Sequence, residues 1–222
     1  FVLKTIKAID RPAIAALMPT MKGLTVVLDL GANVECSNDN LVQFALMGDI
    51  FAQCVLGIKK PKIGLLNVGS EDIKGNSVVK QAFENLKRIE KQINFYGFVE
   101  GDDINKGIVD VVVTDGFSGN IALKTAEGVA DLIFTYLKNA YQSSFISKLG
   151  YILSKPALNR FKTRIDPRKY NGAVLLGLNG IIVKSHGGTD AFGFSNAISV
   201  AISLIKNNYV NTIENKLTGK HE

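Results

Sequence analysis

Hydrophobic positions along this chain follow two periods in turn, and the switches between them lay out its elements. Short apolar or β-branched runs at 25–30, 63–68, 93–99 and 111–115 predict buried strands. Between them apolar residues recur at helical spacing. Leu41, Phe44, Ala45, Phe51, Ala52 and Val55 fall on one face of a helix that Asn38 or Asp39 caps and that runs to about Gly57. Further helices are predicted at 77–90, 120–141 and 191–209, the last rich in Ala, Ile and Ser and expected to be mostly buried. Residues 143–165 continue helical with a break near Pro156, and 180–184 ends a second apolar run as another strand. At the start, Leu3, Ile6 and Ile9 oppose Lys4 and Lys7, which predicts an amphipathic helix restarting from an Asp10 cap with Pro12 in its first turn. Residues 101–103 read as a loop and 211–222 as a frayed tail.

Strands that alternate with helices predict an α/β fold, its sheet parallel or mostly parallel and covered on both sides. In such sheets ligands gather at the carboxyl ends of strands. Four predicted strand ends carry polar glycine turns, at 29–33, 67–76, 114–120 and 184–190. No internal repeat or linker divides the chain, so residues 1–222 are expected to form one α/β catalytic domain. Phe1 already lies inside a predicted element, and an N-terminal portion is expected to be missing.

The turn at 114–120 carries the most chemistry. A strand stops at Asp115, passes Gly116 and Gly119, and opens into a helix. The first turn of a helix leaves N–H groups unpaired and positively polarised, so an oxyanion such as phosphate fits there. The plainer reading is a well-capped junction.

Composition narrows the field. With 222 residues, 46% of them hydrophobic and 21% charged, the chain is globular. Cys36 and Cys54 are too few for a disulfide framework, have no metal-ligand spacing, and are expected to be inert. A cytoplasmic location is the expectation. The net charge of +6 is concentrated: residues 132–165 hold Lys138, Lys148, Lys155, Arg160, Lys162 and Arg164 and no acid. Apolar stripes accompany those bases, so 136–168 is expected to be a basic amphipathic helical excursion. It could be a solvated hairpin, a dock for an acidic carrier protein, or a surface lying on an anionic membrane. Nucleic acid is disfavoured because aromatics do not interleave with the bases. A nicotinamide cofactor is excluded because no Gly-x-Gly-x-x-Gly follows the first strand.

Four segments, in order, carry a family resemblance: Val27 to Asn33, Leu66 to Asn76, Val113 to Asn120 with Lys124, and Gly177 to Gly187. Together they resemble the bacterial phosphate acyltransferase (PlsX) family across essentially the whole chain. The resemblance implies transfer of a long-chain acyl group from acyl-[acyl-carrier protein] to inorganic phosphate, giving acyl phosphate for phospholipid synthesis, with no metal or organic cofactor. It also implies a homodimer and a three-layer sandwich like that of phosphotransacetylases and isopropylmalate dehydrogenases, here with a protruding basic hairpin. The family has a glycine-rich strand and turn at its N-terminus that this sequence lacks.

That chemistry needs a held phosphate, a stabilised tetrahedral oxyanion and a leaving thiolate, with no protein nucleophile. The backbone of Gly116, Phe117, Ser118, Gly119 and Asn120 is expected to hold phosphate, with Ser118 and Asn120 donating and Lys124 nearby. Lys184, Ser185, His186 and Gly187 are expected to supply charge and a donor from another strand end, or else to be a snorkelling lysine and a structural histidine. Asp115 counts among the catalytic group but reads best as an acceptor orienting Lys124 or Lys184, since a bare carboxylate would repel phosphate. Asp29 and Asn33 either line the cleft or cap the next turn, and Asn67 is expected to line the cleft at the acyl or carrier-protein entrance. Glu71, Asp72 and Lys74 are expected to shape an entrance, and His221 belongs to the tail. Two other functions fit the same residues: a phosphotransacetylase acting on short acyl-coenzyme A, and a non-catalytic carrier-protein or membrane adaptor.

Overall fold

The computed structural model describes residues 2–218. These form two compact units, one of the residues up to 120 together with those from 168, the other of 121–167. The first is an α/β unit built on a seven-stranded sheet. Its strands are β1 (Ala13–Thr20), β2 (Gly23–Leu28), β3 (Lys62–Leu66), β4 (Asn94–Val99), β5 (Val111–Val113), β6 (Ala173–Leu176) and β7 (Ile182–Lys184), in the order β4-β3-β5-β2-β1-β6-β7. The pairs β4/β3, β3/β5 and β5/β2 are parallel, whereas β2/β1, β1/β6 and β6/β7 are antiparallel. Five strands therefore run one way, and β1 and β7 run against them.

The helices are α1 (Asn38–Leu56), α2 (Ser77–Arg88), α3 (Gly101–Lys106), α4 (Gly116–Gln142), α5 (Phe145–Ile165), α6 (Ala191–Lys206) and α7 (Tyr209–Thr218). Phe44, Met47, Ile50 and Phe51 of α1 form one core with Val26, Leu28, Ile63, Leu65, Val111 and Val113, and α2 adds Phe83 and Leu86. Gly48 lets α1 lie close to the sheet, because a Cβ there would stand 2.7 Å from a Val111 methyl. By the pleat, Val27 and Val112 point to the opposite face, where Met18, Val99, Val109 and Ile104 of α3 are also buried. Ser37, not Asn38 or Asp39, caps α1 by a capping box with Asn40, and Gly57 ends it at φ 70°.

The largest departure from expectation lies at the start. Residues 2–10 are not helical: Ile6 donates its N–H to Gly177 O at 2.9 Å, Thr5 bridges Leu178, and Ile6 and Ile9 are buried. The Ala-Ile-Ala-Ala-Leu-Met run after Pro12 is strand β1, wedged between β2 and β6. Pairing on both edges overrides the helical propensity of alanine and leucine. The expected strand at 180–184 is the second half of a hairpin, β6 and β7, turned at Gly177. Residues 101–103 open helix α3 rather than a loop. The predicted closing helix divides at 207–208 into α6 and α7; α6 leaves Phe192, Phe194, Ile198, Ile202 and Ile205 exposed, so it is not mostly buried. Much of the expected frayed tail is α7, which buries Ile213; residues 219–222, His221 among them, lie outside the described residues, as does Phe1.

In the second unit α5 runs unbroken through Pro156. It packs on α4 through Phe134 and Phe161 (centroids 6.0 Å apart) and Tyr141 and Tyr151 (5.4 Å). No residue from 121 to 167 is buried.

Candidate functional site

The strands β2, β3 and β5 end at the same rim of the sheet, and the loops after β2 and β5 interlock there. Asp29, fully buried, is the hub. Its Oδ1 accepts N–H bonds from Ile14 (2.9 Å) and Ala32 (3.1 Å), and its Oδ2 accepts from the Asn33 N–H (2.7 Å) and side-chain amide (2.8 Å). Asn33 also donates to Pro12 O at 2.7 Å, and its own carbonyl accepts the Gly116 N–H at 2.7 Å. A chain of short bonds thus ties the entry of β1, the loop after β2 and the mouth of α4. These two side chains hold the turn, which is the structural half of the expectation for them. Backbones meet closely here: a Cβ on Gly116 would stand 2.5 Å from Asn33 O, and one on Gly119 would run into Asp29 O.

Asp115 orients neither lysine. Its Oδ1 accepts the Ser118 N–H at 2.7 Å and its Oδ2 the Ser118 hydroxyl at 2.9 Å, so it caps α4. That corrects the expectation of Ser118 as a free phosphate donor, because both its donors face Asp115. Gly119 donates to Asp115 O at 3.0 Å and Gly116 to Asn33. Among the described residues, the N–H groups of Asp115 and Phe117 in this turn have no protein acceptor, and the Asn120 amide makes no hydrogen bond. Asn120 stands over Gly31, with atoms 3.6–3.7 Å from where a Cβ would be. Lys124 belongs to the second unit, where it pairs with Glu127 at 2.7 Å.

Two further residues border this hub: Cys36, which the sequence led us to expect inert, and Arg11, which it passed over. Cys36, half-buried, has its thiol pushed up to about 11, first by desolvation and then by the Asp29 and Asp115 carboxylates, against the Gly116 N–H and Arg11. It stays a neutral thiol at physiological pH. Arg11 reaches toward Glu35 O (3.4 Å) and stands 3.7 Å from Asp10. The signal for Arg11 was its place immediately before Pro12, which was credited to a helix start. The loop after β3 is organised by Asn67, whose amide donates to Gly69 O (3.0 Å) and Lys74 O (3.1 Å), while Lys74 pairs with Glu71 and Asn76 caps α2.

The fourth loop is elsewhere. β7 is antiparallel to β6, so its carboxyl end points away from the rim where β2, β3 and β5 finish. It also lies four strands from β5, roughly 19 Å at the usual spacing. The expected convergence of Lys184, Ser185, His186 and Gly187 with Gly116 therefore does not occur within the chain. Instead the loop folds on the N-terminus of α6. The buried Asn171, also missed, donates to Ser185 Oγ (2.9 Å) and Gly193 O (2.8 Å) and accepts from the His186 N–H (2.9 Å). His186 Nδ1 accepts the Gly188 N–H at 3.1 Å, Asp190 caps the helix, and Arg168 pairs with Asp190 at 2.7 Å. The Arg168 contact and the cap hold the Asp190 carboxyl below its ordinary value, the cap contributing more.

This mixed α/β sheet is a fold shared with solved proteins of low sequence identity. A phosphotransacetylase from Streptococcus pyogenes superposes with a TM-score of 0.60 at 18% identity, over 91% of this chain and 56% of its own. The chain belongs to the fatty acid synthesis protein family, whose profile matches residues 1–212. The phosphate acyltransferase of Paramagnetospirillum magneticum is 61% identical over 209 residues, 94% of this chain and 60% of that protein. The one from Rhodospirillum rubrum is 55% identical over 216 residues, 97% and 62% respectively. The chain thus spans about 60% of the length of these curated relatives.

Proposed function

We propose that the protein bearing this chain transfers a long-chain acyl group from acyl carrier protein to inorganic phosphate. Relatives named phosphate acyltransferase at 61% and 55% identity support this reading most directly. A phosphate oxygen forms the new C–O bond to the thioester carbonyl, and the C–S bond breaks with its electron pair on sulfur. The carrier's thiolate then takes a proton from solvent. Cys36 supports direct attack over a covalent acyl-enzyme, because a thiol pushed up to about 11 is a poor nucleophile near neutrality. The Phe117 N–H and the Asn120 amide are donors that the α4 mouth leaves for an oxyanion, with Gly116 and Gly119 giving close access. The test supplies long-chain acyl-carrier protein and phosphate to the full-length protein and traps acyl phosphate with hydroxylamine. Trapped product that persists without phosphate would remove the mechanism.

The reading extends to a homodimer at the cytoplasmic membrane face. The unburied second unit supports the membrane contact: Phe145, Ile146, Ile152 and Leu153 are exposed beside Lys148, Lys155 and Arg160. Among the described residues no helix is long and apolar enough to cross a membrane. Changing Lys148, Lys155 and Arg160 together to Glu is expected to release the protein from anionic vesicles. Retention on those vesicles would return the unit to a solvated hairpin.

A further inference from the structure

A phosphate at the β2/β5 rim would face the Asp115 carboxylate, with Asp29 behind it, so a cation must stand between. Lys184 and His186 leave at the wrong end of the sheet, and Lys74, on the neighbouring loop, is committed to Glu71 at 2.9 Å. Arg11 remains. We infer that Arg11 is the residue that binds the phosphate substrate at this rim, taking two of its oxygens with the planar edge of the guanidinium.

Three features carry the assignment. The first is placement: the residue after Arg11, Pro12, is bonded through its carbonyl to Asn33, whose own carbonyl holds Gly116 at the mouth of α4. Arg11 is thus fixed to the hub by its backbone while its side chain stays half exposed. The second is availability. Its contacts are a 3.4 Å approach to Glu35 O and a 3.7 Å pairing with Asp10, both long, so most of its five N–H donors are unengaged. Asp10 does not depend on it, since Asn40 donates to the same carboxylate at 2.9 Å. The third is charge balance: at the Cys36 thiol Arg11 acts against the Asp29 and Asp115 carboxylates, as the smallest of the contributions there. A guanidinium matches phosphate geometry, and beside two carboxylates it supplies the compensating charge that a backbone N–H alone does not.

The inference rests on the proposed acyl transfer to phosphate but is tested by binding, which needs no turnover. Inorganic phosphate is titrated into the 222-residue chain by calorimetry, for the parent, Arg11→Ala, Arg11→Lys and Lys22→Ala, the last removing a charge at the β1–β2 turn on the opposite rim. The expected result is phosphate binding weakened at least tenfold in Arg11→Ala, partly kept in Arg11→Lys, unchanged in Lys22→Ala, and improved in Arg11→Ala by added methylguanidinium. In the full-length protein, Arg11→Ala is expected to raise KM for phosphate while leaving KM for acyl-carrier protein in place. Phosphate binding equal in the parent and Arg11→Ala overturns the assignment, as does a parent chain that binds none. Intact, Arg11-dependent phosphate binding with no trapped acyl phosphate would sink the acyl-transfer reading alone.

Discussion

Two loops of this chain look alike as sequence and differ as structures. At 113–120 and at 183–193 a short apolar strand runs into polar residues, glycines, an Asp cap and a helix, the glycines following the cap in the first. The first is knitted into its neighbours: Asp29 and Asn33 bind it to two other strands, and its glycines touch foreign backbone. The second is held by the Asn171 side chain and by its own turn, and Gly187 has open space around it. The difference lies in the neighbours: the junction whose parallel neighbours end beside it is tied into other strands, and the one at the sheet edge is not. β5 has such neighbours in β2 and β3, whereas β7 is an edge strand running against its one partner.

The sharpest way to break the contrast is at the hub. Asp29→Ala removes an acceptor of four hydrogen bonds at a fully buried position and is expected to cost about 4 kcal/mol by urea unfolding. A loss under about 1 kcal/mol would mean the rim is not a stabilising network. Gly119→Ala, which drives a methyl into Asp29 O, is expected to cost about 3 kcal/mol, while Gly187→Ala should be nearly neutral. Equal effects would erase the distinction between the two loops.

Asn171→Ala is expected to cost about 2 kcal/mol and to speed amide exchange at 185–188 without altering exchange at 116–120. Spread of the effect to the rim would show the loops to be coupled. Asp115→Ala should cost about 1 kcal/mol as a lost cap. The smallest effect concerns Cys36. With the thiol raised from 9.0 to about 11, the folded protein binds this proton more tightly than the unfolded chain, so its contribution to stability is full below pH 9 and fades as pH climbs toward 11. Alkylation of Cys36 near pH 8 should run about a hundredfold slower than that of an ordinary thiol. Ordinary reactivity would place Cys36 in solvent rather than against the hub.

Sequence by itself determined the parts that short-range physics governs. Val111 to Val113 as a buried strand, α1 with its apolar face, the break at Gly57 and the α4 junction all follow from local period, capping and glycine chemistry. Only the tertiary structure decided that 13–20 is a strand, that β7 runs against the sheet, and that Asp115 holds both donors of Ser118 at the start of α4. The reason is sequence separation. β1 lies against β6, some 160 residues later, and that pairing, invisible to any local window, fixes strand direction and with it which loops share a rim.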